Sequence, residues 1–148
     1  MRPRLAIVGA GDVAHRHYLP PLRSMADDVE LAAFVEPRQS AGETAVRTVR
    51  DWAPAAVAVT SVDEVATLGL DAAVDLTPAP LHGETNRRLL EAGLHVYSEK
   101  PIAQTVAEAD ALIELARAQD RHLLAAPGTA VTRRMRWLKG LVDAGTVE

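Results

Sequence analysis

Short, mostly apolar runs recur along the chain. Between them lie longer stretches in which apolar residues return every three or four positions. The runs 5–8, 30–35, 57–59, 71–76, 95–98 and 123–126 read as six strands. Runs without polar alternation suit strands buried on both faces. The intervening stretches read as helices over about 12–25, 38–52, 81–92, 105–119 and 132–144, with a short one starting near residue 61. Ser61-Val62-Asp63-Glu64 and Thr105-Val106-Ala107-Glu108 have the spacing of capping boxes, in which a hydroxyl and a glutamate three residues on satisfy each other's backbone N–H groups. Gly93 and Gly145 stand where two helices should stop. Pro20 and Pro21 must interrupt or restart the first helix, because neither has an N–H to donate. The alternation predicts an α/β fold: a doubly wound parallel six-stranded sheet, order 3-2-1-4-5-6, with helices on both faces.

Composition narrows the picture a little. The 148 residues are 48% hydrophobic and 24% charged, enough for one core. Net charge is −4, so no basic surface predicts a nucleic-acid partner. No apolar run approaches the roughly 18 residues of a membrane span, so no membrane partner is expected. There is no cysteine, which removes disulfides, thiolate metal sites and a cysteine nucleophile, and fits a cytoplasmic protein. The five histidines show no metal-ligand spacing with acids, so no metal site is expected.

Chemistry is concentrated where strands end. Gly9-Ala10-Gly11-Asp12-Val13-Ala14 follows the first strand and opens a helix. Gly9 permits a tight turn, Gly11 lets a pyrophosphate reach the backbone, and Ala14 lets the helix lie close on the sheet. The first-turn N–H groups around Asp12 and Val13 suit that phosphate. Glu36 ends the second strand, 22 residues after Ala14, where an acid can accept from both adenosine-ribose hydroxyls. That carboxylate points to NAD, since it repels a 2′-phosphate. Arg38, two residues on, keeps NADP open. The fourth strand runs into Thr77-Pro78-Ala79-Pro80-Leu81-His82. In a doubly wound sheet that loop lies beside the nicotinamide half of a dinucleotide. Thr77, Pro78 and His82 are therefore candidate cofactor contacts, although His82 taken by itself reads rather as a surface or partly buried histidine.

The fifth strand ends in Glu99-Lys100-Pro101, over the same crevice. A lysine there can hold a substrate oxygen by a charge-assisted hydrogen bond and stabilise a developing alkoxide. Glu99 can orient the lysine or meet the cofactor, and Pro101 restricts the backbone of Lys100. Read without further context, the triplet is equally an ordinary charged turn before a helix.

Taken together, the glycine turn, Glu36, Thr77-Pro78 with Leu81-His82, and Glu91-Ala92-Gly93-Leu94-His95-Val96 running into Glu99-Lys100-Pro101 resemble the glucose–fructose oxidoreductase/inositol dehydrogenase/rhizopine-catabolism (Gfo/Idh/MocA) family. The resemblance covers essentially the whole chain. It implies an NAD(P)-binding Rossmann domain of an oxidoreductase that transfers a hydride between a nicotinamide cofactor and a sugar, inositol or related hydroxyl or carbonyl compound. It implies a catalytic role for Lys100, placed near both the substrate and the nicotinamide and so also a cofactor contact, and a cofactor-cleft position for Thr77, Pro78 and His82. In the family, a segment like Leu141–Glu148 leads into an α+β substrate domain of about 200 residues. The expectation is thus a dinucleotide-binding domain over 1–127 and a connecting segment and helix over 128–148. The substrate domain would be absent and the chain inactive alone, with a partner chain or a second copy left open. Many family members carry Arg-Phe-x-Pro before the last helix; here the corresponding residues are Ala130-Val131-Thr132-Arg133. That departure keeps a second reading alive, a non-catalytic module for nucleotide sensing or scaffolding.

Overall fold

The computed structural model describes residues 2–126 and 132–146. β1 is Arg4–Val8. A wide π-type turn over Ala14–Tyr18 runs directly into α1, Leu19–Ser24. Then come β2 (Glu30–Val35), α2 (Gln39–Val49) and β3 (Val57–Val59). A 3₁₀ segment, Val62–Thr67, precedes β4 (Ala72–Asp75). A second one, Ala79–Leu81, leads into α3 (His82–Glu91) and β5 (His95–Ser98). The described residues finish with α4 (Val106–Ala118), β6 (Leu123–Ala125) and α5 (Arg133–Asp143).

All neighbouring strands pair in parallel, in the order β3-β2-β1-β4-β5-β6, as the apolar runs predict. Each face of this sheet has its own core. Leu5, Ile7 and Phe34 pack with Ala14, Leu19, Ala45 and Val49 on the side of α1 and α2. Val8, Val35 and Val96 pack with Leu89, Leu90, Leu112 and Ala116 on the side of α3 and α4. The central strands β1 and β2 are clad on both sides, which is why they read as solid apolar runs.

The local signals succeed in part. Ser61 accepts from the Asp63 N–H while Glu64 accepts from the Ser61 N–H, so that box forms, but it opens a 3₁₀ segment. Thr105 Oγ1 accepts from the Glu108 N–H. Glu108 then takes the N–H of Gln104 instead of closing the box on Thr105. A Cβ placed at Gly83 would lie 1.8 Å from Glu108 Oε1, so glycine lets α3 carry that carboxylate directly on its backbone. Gly93 ends α3 with φ +79°, and Leu94 N–H reaches back to the Leu89 carbonyl, a Schellman stop.

Pro20 and Pro21 do reshape the first helix. The Leu19 N–H donates to the carbonyl of Ala14, five residues back. The two prolines that follow leave the carbonyls of Arg16 and His17 without i+4 donors. An inserted residue per turn shifts the helical phase by about 100°, so side chains beyond Ala14 do not follow the regular period. The division proposed at 127/128 falls on residues outside those described, as do Ala130, Val131, Val147 and Glu148.

Candidate functional site

Three loops leave the carboxyl ends of adjacent strands and are tied to one another by backbone bonds. Gly9 N–H donates to the Val35 carbonyl, Leu76 N–H to Val8, and Glu99 N–H to Asp75, at 2.8–2.9 Å. These bonds set the glycine turn, the Thr77-Pro78 turn and the Glu99-Lys100-Pro101 turn side by side along one rim.

The two glycines of the first turn serve different ends. Gly9 has φ +93°, and a Cβ there would sit 2.9 Å from the Leu76 carbonyl oxygen. It is glycine because the backbone and β4 require it. A Cβ at Gly11 would meet no protein atom within 4 Å, so nothing in the packing of the described residues demands a bare backbone there. Asp12 and Val13 are exposed beside it, and Asp12 pairs with Arg16 at 2.6 Å.

Glu36 is only 6% exposed. Its Oε2 accepts from the Ala10 N–H at 3.1 Å, and its Oε1 accepts from Arg38 Nε at 2.8 Å and from the Arg38 N–H at 3.3 Å. The carboxylate therefore braces the glycine turn from the end of β2. Burial alone would raise its pKa, but the hydrogen bonds from Arg38 and Ala10, with the Arg38 charge, hold it below the usual carboxylate value. A depressed folded value adds stability above the unfolded value and forfeits it as pH falls through the folded one. The stability difference between wild type and Glu36→Gln should thus be level above about pH 5 and shrink on acidification. Denaturant melts across the acid range up to neutral pH would test this; a difference independent of pH would remove the charge from the explanation.

Around the other two turns, Thr77 is held by Asp75, whose Oδ1 accepts from the Thr77 N–H at 2.9 Å and its hydroxyl at 2.6 Å. Pro78 is exposed. His82 is 1% exposed and lies beneath the two turns, with Nε2 2.6 Å from the Thr77 carbonyl oxygen and Nδ1 2.6 Å from that of Pro101. Both ring nitrogens are thereby engaged with the protein. Glu99 accepts from the Tyr18 hydroxyl at 2.8 Å and from the Lys100 N–H at 3.1 Å. It meets the lysine backbone, and no ion pair joins it to the Lys100 ammonium among the described residues. Lys100 is exposed, and its bond to Pro101 is cis.

Two residues in this arrangement are not among those the sequence singled out. Tyr18, from the wide turn, packs edge-on against Tyr97 with ring centroids 6.2 Å apart. It links the first helix to the Glu99 turn. Burial and the Glu99 carboxylate push its phenol well above the ordinary value, so it stays a donor. Asn86, fully buried one turn after His82, donates to Ser98 Oγ at 2.9 Å and to the Ile102 carbonyl at 3.0 Å. Its i, i+4 spacing from His82 is the one cue available beforehand. Among the described residues no group of three or more histidines, aspartates or glutamates is placed to hold a metal ion. None of the helices described is long and apolar enough to cross a membrane.

Residues 3–126 match the oxidoreductase family with an NAD-binding Rossmann fold, GFO_IDH_MocA. The chain belongs to this Gfo/Idh/MocA family. Over 135 residues it is 29% identical to an uncharacterized oxidoreductase of Schizosaccharomyces pombe, covering 90% of this chain and 34% of that protein. Over 147 residues it is 28% identical to the dTDP-3,4-didehydro-2,6-dideoxy-alpha-D-glucose 3-reductase of Streptomyces violaceoruber, covering 97% of this chain and 41% of the reductase. Among solved structures, a 3-ketoreductase of Actinomadura kijaniata in complex with NADP and TDP-benzene superposes with TM-score 0.85 and 25% identity, covering 99% of this chain and 44% of that one. The WlbA dehydrogenase of Chromobacterium violaceum, in complex with NADH and UDP-GlcNAcA, gives TM-score 0.81 and 25% identity, covering 97% and 40%. This Gfo/Idh/MocA chain thus spans about a third to two fifths of the length of the relatives it matches.

Proposed function

We propose that the chain binds a nicotinamide dinucleotide along the rim formed by β1, β2 and β4, and presents Lys100 to the oxygen of a sugar or related hydroxyl or carbonyl substrate. The observation that carries this reading is the meeting of three turns. The Gly9–Val13 turn, Thr77-Pro78 and Glu99-Lys100-Pro101 are joined edge to edge by the bonds of Gly9, Leu76 and Glu99. A sheet of this winding takes dinucleotides at that edge. Gly11 supports the fit, because the space its missing side chain leaves is claimed by no protein atom within 4 Å. The bound cofactor would supply or accept the hydride. This chain's own part is to hold the pyrophosphate on the first-turn N–H groups and to donate from the Lys100 ammonium to the substrate oxygen. The sugar nucleotides named for the Streptomyces and Chromobacterium relatives favour a sugar or sugar nucleotide among the candidate substrates.

For the choice of dinucleotide we read NAD. Glu36 stands where the adenosine ribose would lie, and Arg38, the group that would greet a 2′-phosphate, is already paired with it at 2.8 Å. Calorimetric titration with NADH and NADPH separately tests both binding and preference. Glu36→Ala should weaken NADH about 10- to 100-fold, the worth of a charge-assisted hydrogen bond. It should also strengthen NADPH by releasing Arg38. If the unmodified protein prefers NADPH, Arg38 dominates and the NAD reading fails.

A further inference from the structure

We propose that Tyr18 is a positioning residue: its hydroxyl holds the Glu99 carboxylate, Glu99 holds the Lys100 N–H, and the first helix thereby sets the backbone from which Lys100 projects. The case rests on hydrogen bonds in series. The Tyr18 hydroxyl donates to Glu99 Oε1 at 2.8 Å, and Glu99 Oε2 accepts from the Lys100 N–H at 3.1 Å. Each carboxylate oxygen thus has its own donor. Glu99 is half-buried. Among the described residues, Tyr18 is the only hydrogen-bond partner of that carboxylate from outside its own turn.

Tyr18 is itself well seated. It ends the wide turn Ala14–Tyr18, which the Leu19 N–H closes on the Ala14 carbonyl. Insertions of this π type are frequent at functional segments. The Tyr18 ring is half-buried and packs edge-on against Tyr97, with centroids 6.2 Å apart and planes at 62°. Tyr97 lies on β5, the strand that ends at the Glu99 turn. The hydroxyl therefore meets the carboxylate from a ring already held in place, so little further side-chain freedom is lost in making the bond.

The consequence for Lys100 follows from chain connectivity. The Glu99 N–H is tied to the Asp75 carbonyl at 2.9 Å, and the Pro101 carbonyl is engaged by His82 from beneath. Those ties bear on a strand end and a buried ring. The tie between them, from the Lys100 N–H to Glu99 Oε2, hangs on a flexible glutamate side chain. It orients the peptide plane before Lys100 and, with the Pro101 end held, the φ of Lys100 and the direction of its Cα–Cβ bond. Without the Tyr18 hydroxyl, Glu99 is free to turn to water and this tie loosens. The first helix also follows directly from the Gly9–Val13 turn. The segment that would carry the pyrophosphate and the lysine that would meet the substrate are thus joined through a phenol. The importance of that link for hydride transfer rests on the function proposed above; the tie itself does not.

The test is backbone NMR on the isotope-labelled 148-residue chain without cofactor, comparing wild type with Tyr18→Phe, Glu99→Ala and the double variant. Phenylalanine keeps the ring and its packing on Tyr97, so the fold should stay. The coupling between the amide and α protons of Lys100 reports its φ. In Tyr18→Phe the Lys100 amide should exchange about 5- to 10-fold faster, the worth of one hydrogen bond. Its coupling should move to the averaged value of a loose turn, while the Glu99 N–H on Asp75 stays protected. Glu99→Ala should do the same, and the double variant should add nothing, as expected of residues acting in series. An unchanged Lys100 amide in Tyr18→Phe would overturn the proposal. So would equal loss of protection at Glu99 and Lys100, the mark of general loosening, or changes that add in the double variant. In a chain completed by the carboxy-terminal portion of a relative, Tyr18→Phe should lower kcat about 10-fold with KM for NADH unchanged. Turnover that falls with Lys100→Ala and not with Tyr18→Phe would remove the positioning role and leave the proposed function standing. Because the NMR needs no cofactor, a failure of NADH to bind would sink the proposed function and leave the tie standing.

Discussion

Replacing Gly11 by valine is expected to abolish dinucleotide binding and leave the chain folded. The fold survives because a Cβ at Gly11 meets no protein atom within 4 Å and the residue lacks a positive φ. Binding fails because the new side chain occupies the approach to the first-turn N–H groups, which must lie against the pyrophosphate. The loss should be at least about 100-fold, or about 2.7 kcal/mol. Gly9 provides the control. With φ +93° and the Leu76 carbonyl 2.9 Å from its would-be Cβ, Gly9→Ala strains the backbone and separates β1 from the loop after β4. That variant should lose stability first, on the order of 1–3 kcal/mol. Calorimetric titration with NADH and thermal melts on both variants separate the two effects. A folded Gly11→Val protein that still binds the dinucleotide would end the assignment.

Lys100→Ala should leave dinucleotide affinity nearly unchanged and remove turnover. The ammonium has no ion pair among the described residues and stands exposed at the rim, available to an oxygen that gains charge as hydride moves. Losing one such donor costs roughly 100- to 1000-fold in kcat. In residues 1–148 alone, water surrounds Lys100 and weakens its field, and hydride transfer also demands reacting atoms held at roughly 3–3.5 Å. We therefore expect this chain by itself to bind cofactor with little turnover of sugars, polyols or hydroxy acids. Fusion to the carboxy-terminal portion of a relative should create activity that Lys100→Ala then removes. Robust turnover by residues 1–148 alone would show that a complete pocket exists within them. Full activity of the Lys100→Ala fusion would take the catalytic role from this lysine.

The sequence by itself determined the architecture and the address of the candidate site. Solid apolar runs at 5–8 and 31–35 specify strands buried on both faces, since alternation is lost only when both sides are covered. Gly93 stops α3, and the hydroxyl of Ser61 opens the 3₁₀ segment that follows that serine, through conformations local to the chain. Such features depend on neighbours within a few residues, and neighbours in sequence are visible. The rim was legible for the same reason: turns at the ends of adjacent parallel strands must share an edge once the strand order is known.

What each side chain does at that rim was decided only by tertiary structure. Glu36 turned back to the Ala10 N–H, 26 residues away, as well as outward to Arg38. Glu99 found Tyr18, 81 residues away, after a wide turn had altered the helical phase. His82 went under the turns to two carbonyls. Residue type and spacing fix which atoms are available, but a polar side chain leaving water must take whichever partner the packed backbone brings within hydrogen-bond distance. That partner is set by how α3 and the first helix lie on the sheet, a property of the two cores that no local stretch of sequence carries.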